Sequence, residues 1–335
     1  MKIEGKTIGS GQPVYVIAEG GVAHYGSLAK AMALVDLAAD SGADAFKLQA
    51  YRTDRLIAQT LPDWVERMKS KEVDLEFFKQ VSNHCRTRGI TFLCTPHEAS
   101  VLPWLEELEV PAYKVGSGER GNTPFLREIS RLGKPVILST GTHAETHVRA
   151  AVEAVHVEGK VDMALLHCVT AYPVPPAQAN LRVMDRLNEM FDLPVGYSDH
   201  TQGTLACLAA VARGAAIIEK HIALDFNVPN AQDWKVACGP DTFPQLVRDI
   251  RRIELMLGQS ELRELDCESP ALEWALKSVV AARDLSEGEP LAASDLAVKR
   301  PGGGMPPDTL DSLLGRRLKS GKKKDELILN SDLWD

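Results

Sequence analysis

From Val14 to Leu257 the chain alternates short apolar runs with longer stretches whose apolar residues recur every three or four positions. The short runs are VYVIAEGG (14–21), DAFKLQA (44–50), TFLCTP (91–96), AYKVGSGE (112–119), PVILSTG (135–141), MALLHCV (163–169), PVGYSDH (194–200) and AIIEKHI (216–222). Their length and near-continuous apolarity predict strands covered on both faces. Between them, SLAKAMALVDLAADSGA (27–43) repeats Leu28, Met32, Val35 and Ala39 along one helical face. LEFFKQVSNHCRTRG (75–89), AETHVRAAVEAVHVEG (144–159) and DTFPQLVRDIRRIELMLG (241–258) are patterned alike, and several end in the glycine expected of a helix stop. Eight strand–helix units over about 250 residues predict an α/β fold, a (β/α)8 TIM barrel. An open doubly wound sheet is the competing layout, but GxGxxG is absent after the first strand.

After Gly258 the periodicity breaks. Residues 1–258 read as the barrel, 259–276 as a polar linker that includes helical spacing, and 277–335 as a small β-rich module with one brief helical piece at DTLDSLLG. A module of that size has little core of its own and is expected to dock on something. The whole chain has 335 residues, 44% of them hydrophobic and 25% charged, an ordinary globular composition. A formal charge of -8 argues against a nucleic-acid partner, while leaving room for a local basic pocket. No stretch reads as a signal peptide or membrane span. Six scattered cysteines with no close pair suit reduced thiols and a cytoplasmic location.

In a parallel barrel the chemistry sits at the carboxyl ends of the strands. Here those ends carry Glu19; Lys47 and Gln49; Thr95; Lys114, Ser117 and Glu119; Ser139 and Thr140; His167 and Thr170; Ser198, Asp199 and His200; and Glu219 and His221. Two lysines among hydroxyls and glycine-rich turns fit an anion with more than one negative group, such as a phosphorylated carboxylate. The competing reading pairs Lys47 and Lys114 with Glu19 and Glu119 as buried ion pairs. His200 and His221 end consecutive strands, within reach of one ion, and two imidazoles suit Mn, Fe, Co or Zn. His84, His143, His147 and His156 read as surface residues, His167 as a hydrogen-bonded core residue, and His97 as either core or site. Asp199 is expected to orient His200 or a neighbouring loop.

The runs VIAEGGVAHYGSL, GADAFKLQAY, VPAYKVGSGE, GKPVILSTG, LLHCVTAYP, GYSDHT, IIEKHIALD and PDTF, with SVVAARDL and VKRPGGG in the tail, resemble the N-acetylneuraminate (sialic acid) synthase family, the nonulosonic acid synthases. The resemblance covers about residues 3–335 and implies a barrel followed by an antifreeze-like (SAF, β-clip) domain. It implies a transferase that condenses phosphoenolpyruvate with an N-acylated aldose, giving a nonulosonic 2-keto acid and phosphate. N-Acetylmannosamine and di-acetamido trideoxyhexoses are the acceptors it suggests. It implies that Lys47, Thr95, Lys114, Ser117, Ser139 and Ser198 hold phosphoenolpyruvate, and that His200 and His221 bind a divalent metal, Mn2+ first, with Mg2+ and Co2+ as alternatives. Gln49, Tyr172 and Arg300 are assigned to the sugar, and Glu19, Glu119 and Asp233 to catalysis. A homodimer with exchanged C-terminal domains completes the picture.

The sequence departs from the family at two loops. AHYG puts Ala23 and Tyr25 where the family has two amides, and NAQD precedes the expected Asp233 where the family has Gly-Pro-Asp. Both changes fall at the acceptor end. Two other readings remain: a Schiff-base aldolase using Lys47 or Lys114, and an inactive sugar-binding barrel.

Overall fold

The computed structural model describes residues 1–157, 159 and 161–334. All eight apolar runs are strands: β1 Tyr15–Gly21, β2 Ala45–Ala50, β3 Thr91–Pro96, β4 Tyr113–Val115, β5 Val136–Ser139, β6 Met163–Cys168, β7 Val195–Asp199 and β8 Ile217–His221. They are parallel and close into a barrel in chain order, β8 pairing with β1.

Strand alternation explains why the runs look uniformly apolar in sequence. Val16, Ala18, Phe46, Leu48, Tyr113, Leu138 and Leu165 face outward and pack under the helices. Tyr15, Ile17, Ala45, Leu93, Ala112, Ile137, Ala164, Leu166 and Ile217 fill the interior. That interior set stops midway along the strands, and the next inward position is polar in seven of them, Glu19, Lys47, Thr95, Lys114, Ser139, Ser198 and Glu219, and Cys168 in β6. The amino end of the barrel is closed by a hairpin absent from the sequence reading, Lys2–Ile3 with Lys6–Thr7, whose Ile3 and the following Ile8 join the interior cluster.

Helices lie where the spacing predicts, at Leu28–Asp40, Leu75–Arg88, Glu145–His156 and Thr242–Leu257. Asp74 caps the second of these, accepting from the Phe77 amide at 3.0 Å, and Gly89 ends it at φ 69°, a left-handed turn that glycine adopts without strain. Between β2 and that helix the chain adds two short helices with no sequence forewarning, Thr53–Leu56 and Pro62–Lys69. The latter buries none of its residues. No helix among the described residues is long and apolar enough to cross a membrane.

The chain divides between Gly258 and Gln259. The second unit contains the helix Ser269–Trp274 and an antiparallel pair, β9 Ser278–Ala281 with β10 Leu296–Lys299. Its own small core comprises Val279, Ala281, Leu285, Leu291, Leu296, Leu313, Leu318, Ile328 and Leu333. The brief helix expected in DTLDSLLG is Leu310–Leu313.

Candidate active site

A cavity of about 360 Å³ is built from the carboxyl ends of the strands and the loops that follow them. Glu19, Lys47, Gln49, Thr95, Lys114, Ser117, Ser139, Tyr172, Ser198, His200, His221 and Asp233 all line it. Of the expected site residues within the barrel, Glu119 does not. Glu119 sits in a 3-10 turn, Ser117–Glu119, and its carboxylate accepts from Asn122 Nδ2 at 2.7 Å; Arg300 belongs to the second unit, where its guanidinium lies exposed 5.6 Å from the Trp274 ring centre.

Strand register brings the charges together: Glu19 pairs laterally with Lys47, and His221 with Glu19. Lys47 Nζ lies 2.6 Å from Glu19 and 3.7 Å from Glu219, and Lys114 Nζ lies 3.4 Å from Glu219. The ion-pair reading is therefore correct for Lys47 and Glu19, but the partner of Lys114 is Glu219, not Glu119. The same ammonium groups also donate to hydroxyls, Lys47 to Thr95 Oγ1 at 2.9 Å and Lys114 to Ser139 Oγ at 2.7 Å. Ser198 Oγ donates to Glu219 at 2.8 Å, and Gln49 Nε2 to Glu19 at 2.7 Å.

Apart from half-buried Gln49, every member of this cluster is buried. Burial raises both carboxyl groups, but Lys114 and Lys47 outweigh it at Glu219, which they hold at about 2. At Glu19 burial wins over Lys47, and the negative charge of Glu219 adds to it, so this carboxyl sits above the usual range. Two carboxylates sharing two lysines are thus driven apart, Glu219 firmly ionised and Glu19 the more readily protonated of the pair. Burial lowers the pKa of Lys114. Ser117 Oγ accepts from the Gly141 amide at 2.9 Å, and a Cβ at Gly141 would come within 2.3 Å of Thr170 Oγ1 and 2.6 Å of Ser117 Oγ, so the turn has room only for glycine.

The two imidazoles have ring centres 5.3 Å apart. His200 Nδ1 donates to the Val169 carbonyl at 2.8 Å, which leaves Nε2 as a lone-pair donor; the Tyr172 hydroxyl meets it at 3.0 Å. Among the described residues His221 Nδ1 is buried with no partner. A backbone carbonyl fixing the far nitrogen of one ring, and an unclaimed nitrogen on the other, fit a divalent cation. Among the described residues no group of three His, Cys, Asp or Glu is assembled around one point. The histidines therefore offer two donors, and the remaining positions of a shell would fall to water or substrate oxygens.

Asp199 does not orient His200. Alternation turns it outward, where it is fully buried and ion-paired with Lys220 at 2.6 Å. It accepts from Tyr197 Oη, the Thr201 amide, Thr201 Oγ1 and Cys207 Sγ, at 3.1, 2.8, 3.2 and 3.3 Å. It therefore fixes the turn after β7, the looser of the two roles expected. His167, also outward, bonds the Ala179 carbonyl at 2.7 Å as a core residue should. His97 joins the site: it lines the cavity with Nε2 3.3 Å from Gln49 Oε1, and burial with Lys47 and Lys114 pushes its pKa down to about 4. His84, His143, His147 and His156 are half-buried, more enclosed than expected.

Sequence reasoning placed Tyr25 at the acceptor end through the resemblance, but missed Trp64, Arg67, Met68, Lys71 and Cys168 as lining residues. Only Cys168 carried a signal, by alternation from Leu166; the others come from loops whose path no periodicity encodes. Tyr25 takes φ 47°, a left-handed value that the family's amide would adopt with less strain.

The NeuB family model matches residues 34–262, and the SAF domain model matches 277–333. The N,N'-diacetyllegionaminic acid synthase of Campylobacter jejuni is 35% identical, covering 93% of this chain and 98% of its own. The N-acetylneuraminate-9-phosphate synthase of Homo sapiens is 31% identical, covering 97% and 94%. The crystal structure of the sialic acid synthetase of Leptospira borgpetersenii superposes with a TM-score of 0.76 at 33% identity, covering 81% of this chain and 94% of that one.

Proposed function

Because the chain belongs to the NeuB family of nonulosonic acid synthases and carries a SAF domain, we propose that it condenses phosphoenolpyruvate with an N-acylated aldose, releasing phosphate and a nonulosonic 2-keto acid. The observation that carries the proposal is the convergence, in one cavity, of two buried lysines ringed by hydroxyls with two imidazoles that end adjacent strands.

Lys47, Lys114 and the hydroxyls of Thr95, Ser117, Ser139 and Ser198 hold the phosphate and carboxylate of phosphoenolpyruvate, their bonds to Glu19 and Glu219 yielding to stronger charge-assisted ones. Gln49, Tyr172 and Asp233 hold the open-chain sugar with its aldehyde carbon against the enol carbon, which removes the entropy of a bimolecular encounter. A divalent cation held by His200 and His221, manganese first, with magnesium or cobalt as alternatives, would supply Lewis-acid polarisation of the aldehyde oxygen. Glu19, with its raised pKa, takes a proton from the water that adds to the cationic second carbon once the carbon–carbon bond has formed. Collapse of that adduct breaks the bond to phosphate. Glu119 is the weaker candidate for this task, since it does not line the cavity. Arg300, exposed in the SAF unit, is assigned to the sugar's acyl group from a partner subunit in an exchanged homodimer. Six unpaired cysteines support a cytoplasmic location.

The test is phosphate release from phosphoenolpyruvate with a panel of N-acylated aldoses, with and without EDTA and Mn2+. Release with at least one acceptor, abolished by EDTA and restored by Mn2+, is expected. No release with any acceptor sinks the condensation, and release indifferent to EDTA sinks the metal. The lowered pKa of Lys114 favours one second reading, a Schiff-base aldolase; borohydride trapping of a sugar on Lys114 would establish it.

A further inference from the structure

Two cations in the cavity are left over by that mechanism, Arg67 and Lys71, both from the segment between β2 and β3. Lys71 is only 7% exposed, and its Nζ bonds a neutral group, the Asn230 carbonyl at 3.0 Å. The neighbouring carboxylate, Glu72, is turned to Lys69 Nζ at 2.8 Å and the Thr53 amide at 2.9 Å. Arg67 stacks 5.4 Å from the Trp64 ring centre. Among the described residues neither cation has a carboxylate within ion-pair distance. Burial and the charge of Arg67 lower the pKa of Lys71, against the weaker pull of Asp233 across the same cavity. Burying a cation beside a second one, with no carboxylate in ion-pair contact, costs stability that an arriving anion would offset.

We infer that Arg67 and Lys71 form an anion subsite on the solvent side of the cavity, and that the acceptor sugar carries a phosphate at the end remote from its aldehyde. The inference rests on the condensation proposed above. The aldehyde must meet the enol carbon at the strand ends, where Lys47 and Lys114 lie, so the sugar's far end runs toward the loop-borne residues. There a guanidinium fork and an ammonium point charge together suit phosphate oxygens. The Tyr25 hydroxyl, buried without a partner among the described residues, is a further donor lining the same cavity. The helix carrying Arg67 buries none of its own residues, and the Tyr51 hydroxyl donates to its Met68 carbonyl at 3.0 Å.

The test uses the full chain with phosphoenolpyruvate and pairs of N-acylated aldoses with and without a 6-phosphate, reading phosphate release. The phosphorylated member is expected to have a kcat/KM about 100-fold higher, and Arg67→Gln or Lys71→Met to cut that preference about tenfold each. Equal or better turnover of the unphosphorylated member overturns the subsite and leaves the condensation standing. Turnover of neither member of any pair overturns the condensation, and this inference with it. Variants that slow both members equally reveal a structural tie between Lys71 and Asn230 and overturn the subsite; Arg67→Gln, on a helix with no buried residue, keeps folding out of that comparison.

Discussion

Lys220→Met tests whether the turn after β7 is held by charge. The ammonium lies 2.6 Å from Asp199 with both side chains fully buried, and it also donates to the Thr201 carbonyl at 2.8 Å. Methionine keeps the stem and removes the charge. Asp199 would retain Tyr197 Oη, two groups of Thr201 and Cys207 Sγ as donors, yet it would be left ionised in a dry site. Removing one partner of a buried pair costs about 3–5 kcal/mol, and the retained donors place this case near the lower end. The orphaned Thr201 carbonyl adds about 1 kcal/mol, for a total of about 4 kcal/mol. Equilibrium urea denaturation of the variant against the parent measures it. The double variant Asp199→Asn, Lys220→Met leaves no charge behind and is expected to be more stable than Lys220→Met alone. A loss below about 1 kcal/mol for Lys220→Met, or no recovery in the double variant, would refute the argument and put the effect in packing.

Gly141→Ala forces a Cβ into the space held by Thr170 Oγ1 and Ser117 Oγ; with Ser117 displaced, the KM for phosphoenolpyruvate should rise about tenfold or more, measured by phosphate release. Acid should weaken the fold through His24. It is fully buried, its Nδ1 accepts from the Gly26 amide at 3.0 Å, and burial pushes its pKa from 6.5 down to about 4. The native ring is neutral while the unfolded one takes up a proton below 6.5, so this contribution is complete above that pH and is lost as pH falls toward 4. Between pH 7 and pH 5 it amounts to about 2 kcal/mol. Denaturation midpoints of the parent and His24→Gln at both pH values check it: the variant should lose that part of the pH dependence, and an unchanged slope would count against the assignment.

The eight strands and four of the helices are legible in the chain because a buried parallel strand and an amphipathic helix each leave a periodic trace. The polar strand ends are legible for the same reason. Once β1 to β8 are placed, alternation alone puts Glu19, Lys47, Lys114, Ser198 and Glu219 inside and Asp199 and Lys220 outside. Of the two roles open to Asp199 in GYSDHT, alternation decides for the neighbouring turn and against His200, because adjacent strand residues point to opposite faces. Glu119 lies in a 3-10 turn beyond β4, where strand alternation no longer says which way a side chain points.

The sequence by itself determined the barrel, the small β-rich module and the chemistry offered at the rim, since each depends on local period or on residue type at a strand end. Only the tertiary structure decided which charges meet. Lateral register matched Lys47 to Glu19 and drew Lys114 to Glu219, and barrel closure brought β8 beside β1. It also decided what covers the cavity. Trp64, Arg67 and Lys71 are held over the strand ends by aperiodic chain, whose course is set by packing and by bonds such as Lys71 to the Asn230 carbonyl, 159 residues away in sequence.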